Sequence, residues 1–543
     1  MSILVVIPAR GGSKGIPRKN LRKLGSLPLI GYSINNALNS KHDLDVYVSS
    51  DDEEILSISE QLGAKLHPRP KKLAEDQTTL DPVIFEAYEF AKQKEGKRYD
   101  LVVTLQPTSP LLSSNSIDRA LDKMIESRNI DTIISAVEST HLTWSKNEKG
   151  FYPNYTERVN RQQLTPVYKE TGGFLITRSS IITEKNRIGD KVELFELQGK
   201  ESIDIDTYED WNLCEYYLKK KNILFVLTGN KVVGLGHVYN TLILANEILN
   251  HNVSFLVDKD SELAFQKIKS SNYSVRIQSN EDIIDDIEKF NPDVVINDCL
   301  DTNQSYIVSL KEKNIHVINI EDLGEGAKYA DLVINAIYPE KVKQLNHYYG
   351  PDYFCARDEF LLLPQKVISS NVNKVLITFG GVDPNNLTNK SLEAIYSFCI
   401  DRNIKITVVL GLGYQKVETL TKFEKVVIKE NVSNIAIEML DADICFTSAG
   451  RTTYELALVG TPSIVLAQNA RELTHFFADE ANGFVSLGLG EEVEPGEILD
   501  AFEGLLKDPS KRRFMHNKMK NNNIREGKSK VVQLIKRHIE NEN

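Results

Sequence analysis

The stretch ILVVIPARGGSKGIPRKN, residues 3–20, joins a short apolar run to a glycine-rich, basic turn. Residues 3–7 have the length and apolar character of a buried strand. The three glycines let the backbone approach a phosphate closely, and the turn does not have the GxxxxGK[ST] spacing of a P-loop. Its cations are Arg10, Lys14, Arg18 and Lys19. A basic glycine turn directly after a first strand predicts a nucleotide phosphate site at the start of an α/β domain. The alternative is a solvated basic loop.

Similar apolar runs recur in the first part of the chain, at residues 46–50, 101–105 and 132–136. Amphipathic segments lie between them, including Leu29–Asn39 and Pro82–Lys94. This alternation is typical of a doubly wound sheet, so we expect these runs to form buried parallel strands.

The strand pattern restarts twice. After the charged residues 219–222 a new first strand begins at 223–229, and runs at 254–258, 293–298 and 316–320 follow it. A third series begins at 374–381, after the irregular stretch 364–373, and continues at 407–413, 443–449 and 462–467. We therefore predict an α/β protein with a Rossmann-like domain at 1–222. A GT-B-type module follows, with an N-terminal lobe at 223–370 and a C-terminal nucleotide-binding lobe at 371–543.

Bulk properties exclude several classes of protein. A chain of 543 residues is too long for one hydrophobic core, and its net charge of -11 argues against a broad nucleic-acid surface. No apolar run approaches the ~20 residues that span a bilayer, and Arg10 ends the first apolar run too early for a signal peptide. The five cysteines form no CxxC pair, which is typical of reduced thiols. We expect a cytoplasmic protein without nucleic-acid or membrane partners, and a solvated helix face over the basic run 507–530.

An acidic pair, Asp204 and Asp206, forms a second candidate site. The two residues are two positions apart on a predicted strand, so their carboxylates should share one face. Two carboxylates on one face can hold Mg²⁺ against phosphate oxygens. A solvated strand end is the alternative.

Four further motifs accompany the glycine turn. They are Arg69-Pro70 ahead of Leu73–Asp76, Gln106–Pro110, Arg161–Leu164 and Ser202–Thr207. With the turn, they resemble the cytidylyltransferases that activate sialic acids, over nearly all of residues 1–218. The related enzymes for eight-carbon octulosonates are the alternative, although they carry a different loop and lack the Arg-Gln-Gln element.

The resemblance implies transfer of CMP from CTP to a nine-carbon sugar, with Mg²⁺ and release of pyrophosphate. It assigns nucleotide binding to Arg10, Gly11, Ser13, Lys14, Asn20 and Arg69. It assigns catalysis to Arg10, Lys19, Asp204 and Asp206, the last two as metal ligands, and sugar binding to Gln106, Arg161 and Gln162. Gln106 could instead be a buried core amide, and Arg161 a surface ion pair.

Two departures from the family pattern touch the sugar side. His141–Trp144 has an indole where sialate-specific members have a lysine, and Lys169–Gly172 replaces an Arg-Pro-Asn-Gly element. Legionaminic and pseudaminic acids are therefore alternatives to N-acetylneuraminic acid. In this family the segment around 139–172 reaches a second subunit, so the resemblance also implies a homodimer.

The second half of the chain has its own glycine turn, Gly234-Leu235-Gly236-His237. It places an imidazole near a helix N-terminus, which favours a neutral base. Phe379–Asp383 is a strand-to-turn element, and Thr447–Glu455 opens a helix whose free N–H groups suit a pyrophosphate. Glu455 lies one turn inside, where it could accept ribose hydroxyls.

These residues resemble the UDP-sugar hydrolases of pseudaminic acid biosynthesis, over about 223–500. The resemblance implies a UDP-sugar substrate, His237 as catalytic residue, and nucleotide contacts from Ser448, Gly450, Thr452 and Glu455. Leu300, in Asn297–Leu300, replaces a tyrosine of that family, and Asp298 could act instead. A glycosyltransferase, a non-catalytic regulatory module, and a capping or core role for His237 are the alternatives.

Overall fold

The chain folds as two structural units, Met1–Lys220 (unit 1) and Lys221–Asn543 (unit 2). The computed structural model describes residues 1–12, 15–340, 343–430 and 432–540. Within these ranges no helix has both the length and the apolar character needed to cross a membrane.

Unit 1 is built around a seven-stranded sheet, with two short hairpins beside it. Its strands are β1 (Ile3–Pro8), β2 (Lys23–Leu24), β3 (Leu27–Pro28), β4 (Leu44–Ser50), β5 (Lys65–Pro68), β6 (Leu101–Leu105), β7 (Thr132–Glu138), β8 (Trp144–Asn147), β9 (Gly150–Pro153), β10 (Tyr168–Arg178) and β11 (Val192–Glu196). Its helices are α1 (Leu29–Leu38), α2 (Glu53–Gln61), α3 (Leu80–Glu95), α4 (Ser114–Glu126) and α5 (Tyr208–Lys219).

The sheet of unit 1 has the order β11-β7-β10-β6-β1-β4-β5. The predicted strands all run in one direction, but β10 pairs antiparallel with both β6 and β7. The expectation that the four apolar runs form parallel strands is therefore confirmed, and β10 is an additional antiparallel strand that was not predicted. The sequence of β10 carries charged residues and two glycines at its start, and so lacks the continuous apolar run of a central strand. After β1 the chain builds outward to β5 and then returns to the other side of β1. The resulting switch point between β1 and β6 is where α/β sheets bind ligands.

Unit 2 contains two lobes, each with a wholly parallel sheet. The first lobe comprises β12 (Asn222–Leu227), β13 (Asn252–Val257), β14 (Ser274–Ile277), β15 (Val294–Asp298), β16 (His316–Ile320), β17 (Leu332–Asn335) and β18 (His347–Tyr349), with helices α6 (Gly236–Glu247), α7 (Glu262–Ser270), α8 (Ile283–Glu288) and α9 (Gln304–Glu312). The short helix α10 (Asp358–Leu361) follows in the connection. The second lobe comprises β19 (Lys374–Ile377), β20 (Lys405–Leu410), β21 (Val426–Glu430), β22 (Ile444–Thr447), β23 (Ser463–Ala467) and β24 (Phe484–Leu489), with helices α11 (Leu387–Asp401), α12 (Ile435–Asp441), α13 (Thr452–Val459), α14 (Pro495–Lys507) and α15 (Pro509–Lys520). The last helix, α16 (Gly527–Glu540), follows α15 in the chain and packs on the first lobe.

Both lobes have the same strand topology. The first has the order β14-β13-β12-β15-β16-β17-β18, and the second β21-β20-β19-β22-β23-β24. In each lobe the order reverses at the first strand, so the turns after β12 and β15, and after β19 and β22, lie at switch points. The predicted fold class is confirmed: an α/β domain precedes a two-lobe module.

The basic C-terminal run is only partly the solvated helix face that was expected: Lys511, Arg513 and Lys518 are exposed, but Arg512 is not. The Arg512 side chain is buried and donates to the carbonyls of Leu505, Ser369 and Ser370. Helix α16 returns to the first lobe, where its apolar residues join the core around β12. The run therefore anchors the lobe connection and the chain end, because its cations satisfy backbone carbonyls and carboxylates.

Candidate active sites

The glycine turn of unit 1 leaves β1 at the switch point of the sheet. The Gly11 N–H donates to Asp51 Oδ1 at 3.1 Å, and Asn20 Nδ2 donates to the Arg10 carbonyl at 3.0 Å. A Cβ at Gly11 would lie 2.7 Å from Asp52 Oδ2, so this close approach requires glycine. The predicted nucleotide contacts Ser13 and Lys14 lie outside the described residues.

Two predicted nucleotide-binding arginines follow strands on the same side of the sheet: Arg10 comes after β1, and Arg69 comes after β5, with β4 between the two strands. Arg10 NH1 forms an ion pair with Asp76 Oδ1 at 2.9 Å, which joins the turn to the Leu73–Asp76 motif. Arg69 is buried and donates to the Ser49 carbonyl at 2.6 Å and to Ser49 Oγ at 3.1 Å. Burial lowers the pKa of Arg69 to about 10, although Asp51 opposes this. The Arg69 guanidinium is therefore already held in place to contact a bound anion.

The acidic segment meets the glycine turn across a large sequence distance. Lys19 Nζ donates to the Ile205 carbonyl at 2.6 Å and lies 3.7 Å from Asp206 Oδ1. A Cβ at Gly15 would lie 2.7 Å from the Asp206 carbonyl oxygen. The segment is extended coil ahead of α5, so the predicted strand at Asp204 and Asp206 is wrong. It has no ladder partner, although buried Ile205 still separates the two carboxylates.

Asp204 has the properties of an unsatisfied ligand. Its buried Oδ1 accepts no hydrogen bond from the part of the chain that the structure describes. Burial raises the pKa of Asp204, and the neighbouring Asp206 carboxylate adds to this. The described residues contain no cluster of three or more His, Cys, Asp or Glu side chains suited to a metal. Mg²⁺ characteristically takes one or two carboxylates plus substrate phosphates, so this pair fits it.

The predicted sugar-side residues fall into two groups. A Cβ at Gly172 would lie 3.4 Å from both Gln106 Nε2 and Asp204 Oδ2, so Gln106 is next to the acidic pair. Arg161 and Gln162 are exposed on a short helical turn, and no hydrogen bond or ion pair of the described chain joins them to Gln106 or Asp204. Unit 1 by itself therefore places Gln106 beside the predicted nucleotide-binding residues. It does not bring the Arg-Gln-Gln element to them.

In unit 2 a cavity of about 960 Å³ separates the two lobes. The His237 turn lines it from the first lobe. The predicted nucleotide contacts line it from the second lobe: Ser448, Gly450, Thr452 and Glu455. Leu300 also lines it, with a backbone φ of 66° that a leucine rarely adopts. The structure thus brings every predicted residue of this site to one cleft.

His237 is held by a buried carboxylate. Its Nδ1 lies 2.5 Å from Oδ1 of Asp298, which is fully buried at the end of β15. The carboxylate accepts the Nδ1 proton, which leaves Nε2 as the nitrogen able to take a proton. Asp298 therefore orients His237. This role differs from the one suggested by the sequence, in which Asp298 acts in place of the missing tyrosine.

Glu455 is engaged by an arginine that the motifs did not indicate. Its Oε1 accepts from Arg357 Nε at 3.1 Å and from Arg357 NH2 at 3.0 Å. Arg357 also pairs with Glu359 at 2.9 Å. The role of Glu455 toward ribose hydroxyls stays a prediction. Its Oε1 faces Arg357, so a ribose would share this carboxylate with the guanidinium.

Two glutamates at the cleft were also missed, Glu321, which is buried, and Glu472, which is half-buried. Glu472 Oε2 accepts the N–H of Ala449 at 3.2 Å and of Gln468 at 2.8 Å, so it occupies one donor of the predicted pyrophosphate turn. Burial raises the pKa of Glu472. Glu321 follows β16 directly, and burial raises its pKa to about 7 although Arg451 opposes this. The sequence pattern that could have indicated these sites is an acidic residue at the end of an apolar strand. Asp298 and Glu321 both fit this pattern.

Fold and sites together define a nucleotide-binding α/β protein with a site at the carboxyl edge of its sheets in each unit. The cytidylyltransferase family model matches residues 4–176. The pseudaminic acid cytidylyltransferase of Campylobacter jejuni is 34% identical over 231 residues, which are 40% of this chain and 97% of that protein. The chain belongs to the cytidylyltransferase family, which confirms the resemblance given by the motifs.

One relative matches both units. The pseudaminic acid cytidylyltransferase and UDP-2,4-diacetamido-2,4,6-trideoxy-beta-L-altropyranose hydrolase of Helicobacter pylori is 24% identical over 527 residues. The match covers 93% of this chain and 95% of that protein.

Another relative is only partly covered. An uncharacterized protein of Methanocaldococcus jannaschii is 35% identical over 271 residues, which are 46% of this chain and 56% of that protein. The chain therefore spans little more than half the length of that relative.

Proposed function

We propose that unit 1 transfers CMP from CTP to a nonulosonic acid and releases pyrophosphate. One observation carries the proposal: the glycine turn and the Asp204–Asp206 segment are in contact, with Lys19 bonded to the Ile205 carbonyl. Cationic residues suited to phosphate and carboxylates that lie far apart in sequence are thereby placed side by side. The names of the relatives support the choice of CTP and of a nine-carbon sugar acid.

The residues of unit 1 would bind and orient the reactants. Arg10 would exchange its ion pair with Asp76 for the triphosphate, and Lys19 would oppose charge at the α-phosphate. Gln106 would hold the sugar beside Asp204, and the anomeric hydroxyl of the sugar would attack the α-phosphate. Catalysis of this kind depends on positioning and electrostatics, without a covalent intermediate.

Asp204 and Asp206 would hold Mg²⁺. The ion would neutralise negative charge on the phosphate oxygens. Because Asp204 Oδ1 is buried and accepts no hydrogen bond from the described residues, a cation there would satisfy this oxygen.

We further propose that unit 2 hydrolyses a UDP-linked diacetamido trideoxyhexose. His237 Nε2 would take a proton from water while the water oxygen bonds to the anomeric carbon and the bond to the UDP oxygen breaks. UDP would leave with the electron pair, so no acid is required at the leaving group. Asp298 would stabilise the imidazolium that forms. The name of the full-length relative supports this substrate.

A direct assay of the full-length chain tests both proposals. We expect pyrophosphate release with CTP, Mg²⁺ and pseudaminic acid, and free UDP from a UDP-linked 2,4-diacetamido-2,4,6-trideoxyhexose without metal or acceptor. Legionaminic and N-acetylneuraminic acids, and an octulosonate, complete the sugar panel. Release of pyrophosphate with the octulosonate alone would contradict the first proposal.

A homodimer formed through residues 139–172 is also proposed. This arm exposes large apolar side chains: those of Trp144, Phe151 and Val167 are 55%, 72% and 55% exposed. Large apolar groups this exposed mark an interaction surface. A partner's arm would then bring Arg161 and Gln162 toward the sugar pocket, which unit 1 alone does not do.

Charge placed on the arm should separate the subunits. We expect Trp144→Glu with Phe151→Glu to convert a dimer of about twice the chain mass into a monomer by light scattering on a sizing column. Ile437→Glu, at an exposed apolar position of α12, is the control and should remain dimeric. Wild type that elutes as a monomer would refute the proposed dimer.

A cytoplasmic location stays a prediction, based on the spacing of the cysteines, all five of which are free in the structure.

A further inference from the structure

One cation from the second lobe of unit 2 contacts a buried amide and a buried carboxylate of the first lobe. Arg451, in the turn ahead of α13, donates from NH2 to Asn240 Oδ1 at 2.8 Å and from NH1 to Glu321 Oε1 at 3.3 Å. Its guanidinium also stacks on the Phe354 ring, 4.6 Å from the centroid. The residue lies in the middle of the predicted nucleotide turn, yet its side chain is directed across the cleft.

Asn240 connects this cation to the His237 pair. It lies on α6 three residues after His237, so both side chains share one helix face. Its Nδ2 donates to Asp298 Oδ2 at 2.8 Å, and Asp298 Oδ1 holds His237. Both ends of the buried amide are used, which fixes its orientation. The contacts form an unbroken series from the nucleotide turn to the imidazole.

We propose that Arg451 and Asn240 are positioning residues for His237: through them, the nucleotide turn of the second lobe fixes the Asp298 carboxylate. The inference rests on the proposed hydrolytic function of unit 2. A fully buried carboxylate is costly unless its oxygens are paired. Asp298 is paired at both oxygens only while Arg451 holds Asn240 in this orientation. Contact between the nucleotide turn and the first lobe is therefore needed to hold Asp298, and through it His237, in position.

One neighbouring group titrates in the same range as the pair, because burial raises the pKa of Glu321 to about 7. The neighbouring charged groups are Arg451 and Glu321, and the neighbouring thiols are Cys299 and Cys355. Burial raises the pKa of both thiols to about 12, so neither titrates in the working range of the enzyme. Loss of the Asn240 hydrogen bond would leave the Asp298 charge less well offset, and the His237–Asp298 pair would then bind a proton more tightly.

Asn240→Leu in the full-length protein tests this arrangement. We expect the kcat for UDP release to fall 10- to 100-fold, a range typical of residues that orient a reacting group. The UDP Kd from calorimetry should stay within about twofold, because Asn240 does not line the cavity. The acid limb of the kcat profile should move to higher pH. A loss of packing alone would lower kcat by one factor at every pH.

Thr461→Val is the matched control, since it removes one buried hydrogen bond in unit 2, to the Met439 carbonyl, away from the cavity. It should retain both kcat and the pH profile. If Asn240→Leu and Thr461→Val behave alike, or if kcat falls without a change in the pH profile, the positioning role is refuted.

A second measurement separates this inference from the proposed activity. NMR on protein with isotope-labelled histidines reports the pH midpoint of His237 protonation and requires no turnover. The His237 signal is assigned by its absence in His237→Ala. We expect Asn240→Leu to move the midpoint upward. A moved midpoint in a protein that releases no UDP would uphold the positioning role and refute hydrolysis. An unmoved midpoint would refute the positioning role.

Discussion

Asp204→Asn abolishes CMP-sugar formation while the protein stays folded: this is the expected result of the largest single change in unit 1. The substitution keeps the shape of the side chain but removes the charge that would hold Mg²⁺ beside the phosphates. Loss of a preorganised electrostatic group of this kind costs about 10²–10³-fold in kcat. We expect a loss at or beyond the upper end, because Asp204 would act on the metal and is adjacent to Gln106.

Stability should respond in the opposite direction. Burial raises the pKa of Asp204, so its ionisation opposes folding at pH values above the ordinary range of an aspartate. Asparagine carries no such cost. Asp204→Asn should therefore melt at the same temperature as wild type or higher at pH 8, and this difference should vanish below about pH 4, where the aspartate of the unfolded chain is protonated.

Pyrophosphate release at saturating CTP, sugar and Mg²⁺, combined with calorimetric melting, checks both expectations. Asp122→Asn is the control, because it removes the charge of a partly exposed carboxylate that pairs with Lys41 in the same unit. It should retain activity. Wild-type turnover in Asp204→Asn would remove the metal assignment, and a lower melting temperature would show that Asp204 supports the fold.

The fold could be predicted where strands are buried on both faces. The strand HVINI occupies His316–Ile320 as expected, because a short apolar run between turns is typical of a strand that is buried on both faces of a parallel sheet. β10 was missed because its first half is exposed and polar, and β14 because its side chains alternate in burial over only four residues. Patterns this short do not distinguish a strand from a loop.

The candidate sites were predictable only where a local motif carried the chemistry. The His237 turn and the Ser448–Glu455 turn have glycines and polar residues at recognisable spacings. Asn240 and Arg357 have no such motif. Their placement depends on which strands are neighbours and on how the two lobes face each other, and a linear sequence displays neither. The Arg451 guanidinium was assigned to no partner for the same reason.

His237→Ala is expected to lose UDP release while it keeps UDP binding. A general base contributes roughly 10²–10⁴-fold to kcat, and we expect a loss in the upper part of this range. In the described chain Asp298 Oδ1 has no ionisable partner besides His237 that could act as the base instead. The UDP Kd should change less than about threefold, because the predicted ribose and pyrophosphate contacts lie on the other lobe. Glu455→Gln should have the converse effect and weaken UDP binding first.

The measurement is free UDP from a UDP-linked diacetamido sugar, with UDP affinity by calorimetry on the same preparations. His516→Gln is the control, a half-buried histidine of α15 whose Nδ1 is 2.8 Å from the Gly460 carbonyl oxygen and which does not line the cavity. It should behave as wild type. If His237→Ala retains turnover, the proton acceptor lies elsewhere in the cleft, and the buried Glu321 becomes the residue to replace next.

Because Leu300 stands where a proton-transfer group is expected, UDP release by the wild-type protein is itself a decisive measurement. It lines the cavity where related hydrolases carry a tyrosine, and it holds a strained backbone conformation without offering any proton-transfer group. If the His237–Asp298 pair suffices, wild-type unit 2 turns over despite the leucine, and Leu300→Tyr changes kcat without changing UDP affinity. If wild type binds UDP but releases none from any UDP-sugar offered, unit 2 is a nucleotide-sugar-binding regulatory module. If release requires an added sugar acceptor, the same cleft is that of a glycosyltransferase, and His237 then deprotonates the acceptor hydroxyl in place of water.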